Sequence, residues 1–359
     1  MRYLLICSFC FLKLNLNAQV KIPVTGGVLY QYNTILPHSS DIANLSDSNP
    51  FALAVELTKT DTSLKAWNTC NCYSKTGLGV NFINFNNPEI LGNAYNLYFI
   101  TEPYLTRGNT IFLSFKTRMG LSYLTKVYHP DDNPKNLFFS SPLSFILGLG
   151  VKLNYYVSDH WIINAGIYYN HISNGGIKEP NKGMNYPGFG IGIDYQLNPV
   201  KLSKRNREGI SRDRGLVGNL KIIGTVNTVG ADSIFEETRK SLIGLYGNVL
   251  KPVSNINGIS LGLEVYRDEA IREVIERDKG DEDFHFAAIL LGHNFLFGNF
   301  VFNQQFAFYI YKPYPVTHLL SYQRYELYYV MNGNWSLGFS LKAHGHIAEF
   351  FDFRIGYVF

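Results

Sequence analysis

Phe351-Asp352-Phe353-Arg354-Ile355-Gly356-Tyr357-Val358-Phe359 is the stretch that decides the fold. Successive side chains of an extended chain point to opposite faces. Phe351, Phe353, Ile355, Tyr357 and Phe359 therefore share one face, and Asp352, Arg354 and Gly356 the other. Phe350 and Val358 carry the polar parity, so the alternation frays at both ends. The same period recurs upstream. Trp335, Leu337, Phe339 and Leu341 oppose Ser336, Gly338, Ser340 and Lys342; Phe145, Leu147, Leu149, Val151 and Leu153 oppose Gly148, Gly150, Lys152 and Asn154. Phe189, Ile191, Ile193 and Tyr195 oppose Gly190, Gly192, Asp194 and Gln196. A soluble sandwich strand alternates in this way, and so does a transmembrane barrel strand with one row in lipid and the other in the lumen.

Composition separates the two. Aromatic residues make up 15% of the 359 and charged residues only 17%, below the quarter usual for soluble domains. Beyond residue 18 no apolar run approaches the ~18 residues of a spanning helix, which leaves the closed barrel as the way across a membrane. The net charge of +4 is small and scattered, and does not argue for nucleic acid. Residues 1–18 read as a signal peptide: Met1-Arg2, an apolar run from Tyr3 to Leu12, and a small residue at Ala18. Cys70 and Cys72 then remain, and in an oxidising compartment the pair can close a small-loop disulfide. No metal site is expected from them.

The expected fold is all-β: a transmembrane antiparallel barrel of about 14–16 strands, sixteen by direct count. With the last strand ending in the periplasm, the short connections at Val157 to Asp159, Phe295 to Gly298 and Asn332 to Gly333 fall inside. The long ones at Lys126 to Pro142, Asn174 to Asn185, Gly230 to Ser241 and Arg267 to Asp283 fall outside, the usual asymmetry. Thr60 to Thr76 and Asn198 to Val217 break it. The second is basic, through Lys201, Lys204, Arg205, Arg207, Arg212 and Arg214, and reads first as a solvated loop, with a junction between 19–197 and 218–359 as the other reading. The strands of 218–359 either complete and extend one barrel or form a separate unit. Asp268 to Asp283 reads as a short surface helix.

Chemistry concentrates at Tyr168-Tyr169-Asn170-His171-Ile172-Ser173-Asn174-Gly175-Gly176. Trp161, Ile163, Ala165, Ile167 and Tyr169 form an apolar row, and His171 and Ser173 continue it. A base and a hydroxyl two residues apart thus project from the lipid face near the outer rim. Such a pair is the core of a nucleophilic ester-cleaving site, with backbone N–H groups at Asn174 and Gly175 placed to hold an oxyanion. Barrel rims also carry His, Ser, Asn and Tyr without catalysis, and His344 and His346 read as rim or loop residues of that kind.

His171-Ile172-Ser173-Asn174-Gly175-Gly176, followed by Pro180-Asn181-Lys182-Gly183 and an alternating strand from Tyr186, resembles the lipid A 3-O-deacylase (acyloxyacyl hydrolase) family of outer-membrane enzymes. The likeness covers roughly residues 24 to 197. It implies an eight-stranded barrel whose lipid-facing site cleaves an acyl ester of lipopolysaccharide, with His171 as base, Ser173 as nucleophile and Asn174 at the oxyanion region. The family's acidic partner of the histidine corresponds to Asn185 here, and Glu179 in the same loop is the alternative acid. A Phe at the end of an alternating strand resembles the signal read by barrel assembly machinery. The expected partners are therefore lipopolysaccharide (lipid A), outer-membrane lipid and that machinery, in the outer membrane of a Gram-negative cell. No cofactor is expected. The alternatives are a porin-like channel and a catalytically inactive structural or adhesive barrel.

Overall fold

Alternation acts here as a sorting rule between two solvents. Along β2 (Phe51–Thr60), Leu53, Val55 and Leu57 are more than half exposed, while Ala52, Ala54, Glu56 and Thr58 between them are buried. Lipid accepts the first row without desolvation cost, and the second row has to be paired inside. The computed structural model describes residues 23–70, 72–106, 110–199, 202, 215–231, 233–345 and 347–359. The expected signal segment, the six basic residues of the 198–217 connection and His346 lie outside the described residues.

Sixteen strands are formed among the described residues, in two closed antiparallel barrels of eight. The first runs through β1 (Val24–Asn33), β2, β3 (Ser74–Asn84), β4 (Asn93–Pro103), β5 (Ile111–Leu124), β6 (Leu143–Tyr156), β7 (Trp161–Ser173) and β8 (Met184–Gln196). It closes by pairing β1 with β8, from Thr25↔Gln196 to Asn33↔Gly188. The second runs through β9 (Val217–Val229), β10 (Thr238–Pro252), β11 (Asn257–Asp268), β12 (His285–Phe297), β13 (Phe300–Tyr311), β14 (Ser321–Val330), β15 (Trp335–His344) and β16 (Ile347–Val358). It closes through β9 and β16, from Phe353↔Gly224 to Val358↔Asn219. Of the two outcomes open for 218–359, the separate unit holds and the extension of one large barrel does not. The free edge of β8 is already taken by β1, so β9 has no place in the first cylinder.

Neither interior is an open lumen. In the first, Lys75 meets Asp194 at 2.8 Å, Lys152 meets Glu102 at 3.2 Å, and Lys116 pairs with Glu56. Arg118 donates to Asn170 at 2.7 Å and to Gln31 at 3.1 Å. In the second, Arg324 bridges Glu264 at 2.6 Å and Asp352 at 2.5 Å, and Arg354 reaches Glu264 at 2.8 Å. These side chains are essentially unexposed, which removes the wide aqueous lumen expected of a sixteen-stranded porin-like barrel. An apolar plug of Ile42, Leu45, Phe85, Leu91, Phe138, Phe139, Ile172 and Met184 fills the outer end of the first barrel.

One of the two connections that break the loop asymmetry, Thr60 to Thr76, holds a helix. Between β2 and β3 lies α1 (Leu64–Cys70), whose Trp67 is buried with Tyr73, Tyr104 and Phe112 at the turn end, and Cys70 is bridged to Cys72. The charged stretch after β11 does form a helix, α2 (Glu269–Arg277), capped by Asp268.

Candidate active site on the outer wall of the first barrel

The wall is built from β6, β7 and β8. His171 pairs with Leu147 on one side and Asn185 on the other, and Ser173 pairs with Phe145. The lumen row of β7, Asn164, Tyr168, Asn170 and Ile172, is buried. His171 and Ser173 keep the opposite parity, so both lie on the outward face as the alternation requires. Phe145 and Leu147 of β6 lie opposite Ser173 and His171, and Leu149 of β6 with Phe189 and Ile191 of β8 continues the exposed apolar wall along the strands.

Asn185 is the residue that meets the ring: its Oδ1 accepts from His171 Nδ1 at 2.7 Å. With hydrogen on Nδ1, Nε2 is left as the basic nitrogen. The position of Asn185 follows from strand register, His171↔Asn185, and from a second anchor, the Leu36 N–H donating to the Asn185 carbonyl at 2.8 Å. Glu179 does not reach the ring. It is exposed, and its Oε2 accepts the Asn181 N–H of its own loop at 2.9 Å.

Ser173 is buried, because the loop that follows folds back over it. Gly183 closes that loop at φ +66°, and a Cβ there would lie 2.9 Å from His171 Cε1, 3.3 Å from Nε2 and 3.1 Å from Ser173 Cβ. One small residue therefore touches base and hydroxyl together. No hydrogen bond joins Ser173 Oγ to the ring among the described residues. Apo sites often hold such contacts long until substrate arrives.

Asn174 serves the loop. Its Nδ2 donates to Ser140 Oγ at 2.9 Å and to the Lys178 carbonyl at 2.8 Å, and its Oδ1 accepts from the Gly176 N–H at 2.9 Å. Its own N–H donates to Asn181 Oδ1 at 3.1 Å. The Gly175 N–H, expected beside it at the oxyanion, has no partner among the described residues. Lys182 and Gly183 donate to the Leu137 and Phe138 carbonyls at 3.0 and 3.2 Å, so the β5–β6 loop is the floor. Sequence reading gave Gly183, Asn181 and Ser140 no role. Gly183 and Asn181 stand in the quoted Pro180–Gly183 segment, but Ser140 lies 34 residues from its partner and carries no local signal.

Comparison with known proteins follows the division into barrels. Residues 58–194 match the family described as lipid A 3-O-deacylase (PagL), and residues 216–359 match the acyloxyacyl hydrolase, C-terminal domain. Among solved structures, the chain is similar to the outer membrane enzyme PagL at 14% identity, over 47% of this chain and 97% of that one, with a TM-score of 0.33. It is similar to Neisserial surface protein A (NspA) at 11% identity, over 49% and 97%, with a TM-score of 0.31. A mutant Rh. blastica porin aligns over 94% of this chain and 100% of that one at 9% identity and a TM-score of 0.20. The fold rests on the strand pairing and not on these likenesses. No curated protein matches the chain in sequence. The chain thus carries a lipid A 3-O-deacylase (PagL) domain in its first barrel and an acyloxyacyl hydrolase C-terminal domain as its second, the domains of an outer-membrane ester hydrolase.

Proposed function

We propose that this protein is a serine esterase that removes an ester-linked acyl chain from lipid A of lipopolysaccharide in the outer leaflet. The observation that carries the reading is the 2.7 Å contact from His171 Nδ1 to Asn185 Oδ1 on the lipid-facing wall, which leaves Nε2 as a base beside Ser173. The acyl chain lies along the apolar surface of Leu147, Leu149 and Phe189, and its carbonyl sits at the rim. Ser173 Oγ attacks that carbonyl while Nε2 takes the hydroxyl proton. The tetrahedral oxyanion is held by backbone N–H, that of Gly175 first, with Asn174 recruited if its bond to Asn181 opens. Collapse expels the lipid A alkoxide, which takes the proton back from Nε2. Water then repeats the sequence on the acyl-enzyme and frees the fatty acid. None of these steps needs a metal or cofactor.

Ser173→Ala leaves no nucleophile. Fatty-acid release from lipopolysaccharide is expected to fall about 10³-fold or more, with the barrel still assembled. Lipid A mass spectra identical between wild type and variant, with the wild type active, would remove Ser173 from the mechanism. One observation favours the structural barrel without activity, namely an amide where the family has an acid. A wild type that releases no fatty acid from any lipopolysaccharide selects that reading.

A further inference from the structure

The second barrel carries no residue of the site, yet it touches the loop that forms it. The seam closing that barrel pairs β9 with β16 only up to Gly224 and Phe353. Beyond that point Thr225–Val229 pairs with β10 alone, and 347–352 with β15 alone. The seam is thus split at its outer end, and two strand edges are left to be covered. The loop of the first barrel lies at the split. Thr228 Oγ1 on one lip donates to the Ile177 carbonyl at 2.8 Å. On the other lip the Phe351 ring lies 2.9 Å from where a Gly175 Cβ would stand, and the Glu349 carbonyl 3.6 Å from that of Gly176. Both glycines are left-handed, at φ +72° and +85°, so this segment holds a backbone shape that other residues rarely adopt. The Thr228 lip is itself braced, since Arg277 of α2 donates to the Gly230 and Glu236 carbonyls at 2.8 and 2.9 Å. On its far side the same loop is tied to the first barrel through Ser140, Leu137 and Phe138.

We propose that the second barrel is a clamp for the catalytic loop of the first, with Thr228 and Phe351 as positioning residues that fix Gly175 and Gly176 against Ser173. The inference deepens the esterase reading and rests on it for its kinetic consequence. The clamp gives the C-terminal domain a role in the same reaction: two barrels hold one loop from opposite sides, and the oxyanion donor two residues after the nucleophile is set by contacts from both.

The test uses the full chain in detergent with lipopolysaccharide as substrate. Thr228→Val keeps the shape and removes the donor; Phe351→Ala removes the wall against Gly175. Each is expected to lower kcat about three- to tenfold, the size of one lost hydrogen bond, with KM within about twofold, and Thr228→Ser is expected to restore kcat. Amide exchange read by mass spectrometry is expected to quicken in 174–183 in Thr228→Val, while the strands stay protected. Unchanged kcat and unchanged exchange in both variants would overturn the clamp. A serine variant as slow as the valine variant would also overturn it, because the hydroxyl would then not be the acting group. A wild type without esterase activity would defeat the reading of the site instead, and the exchange measurement would still decide whether the clamp exists.

Discussion

Asn185 invites the most telling substitution. Asn185→Asp places a carboxylate oxygen where Oδ1 now accepts from His171 Nδ1, at 2.7 Å, with no change in side-chain length. In the transition state the ring has taken the Ser173 proton and is cationic. At about 4 Å between charge centres and an effective dielectric of about 20, the attraction is about 4 kcal/mol. Taking a half-buried carboxylate out of water, and giving up the amide hydrogen bond already present, cancels about half of it. The remainder, about 1.5–3 kcal/mol, corresponds to about ten- to hundredfold in kcat. The base must be neutral before attack, and the carboxylate favours the protonated ring. The acid limb of the pH profile therefore moves to higher pH, and the gain is largest on the alkaline side. Asn185→Ala, which leaves Nδ1 without its acceptor, should lose about ten- to hundredfold. The assay is fatty-acid release from lipopolysaccharide by the purified protein across pH 5 to about 9. If aspartate and alanine both retain the wild-type rate and profile, the His171–Asn185 contact is no part of the chemistry and the reasoning fails.

Gly183→Ala should reduce activity about tenfold or more without preventing assembly, because its Cβ would press on His171 Cε1 at 2.9 Å and the residue sits at φ +66°; a fully active variant would show that the ring has room to move. Arg324→Ala strips Glu264 and Asp352 of a shared partner inside the second barrel. It should destabilise that barrel by about 3–5 kcal/mol, seen as an earlier urea transition for the second barrel with that of the first unchanged. Coincident transitions in wild type and variant would mean that Arg354 alone holds the two carboxylates.

What was legible in the sequence is what depends on neighbours one and two residues apart. Side-chain alternation is a local property of extended backbone, so the rows in 145–153, 189–196 and 335–342 displayed the strands and their faces before any pairing was known. The same parity placed His171 and Ser173 on the outward wall. Sixteen strands came from counting such rows, and the short helix after β11 from a run of charges.

The tertiary structure decided everything that depends on which distant segments meet. Sixteen alternating strands close once or twice with equal local logic; only the pairing of β1 with β8 and of β9 with β16 makes two cylinders of eight, each narrow enough to be filled by its own ion pairs. Asn185 and Glu179 were both candidates for the ring, and the β7–β8 register placed the amide there and left the carboxylate in the loop. Ser140, Thr228 and Phe351 hold the loop across separations of 34 residues or more, where sequence spacing carries no geometric information. Strand faces follow from the covalent chain, but closure and clamping follow from contacts whose cost in loop entropy only the folded barrels repay.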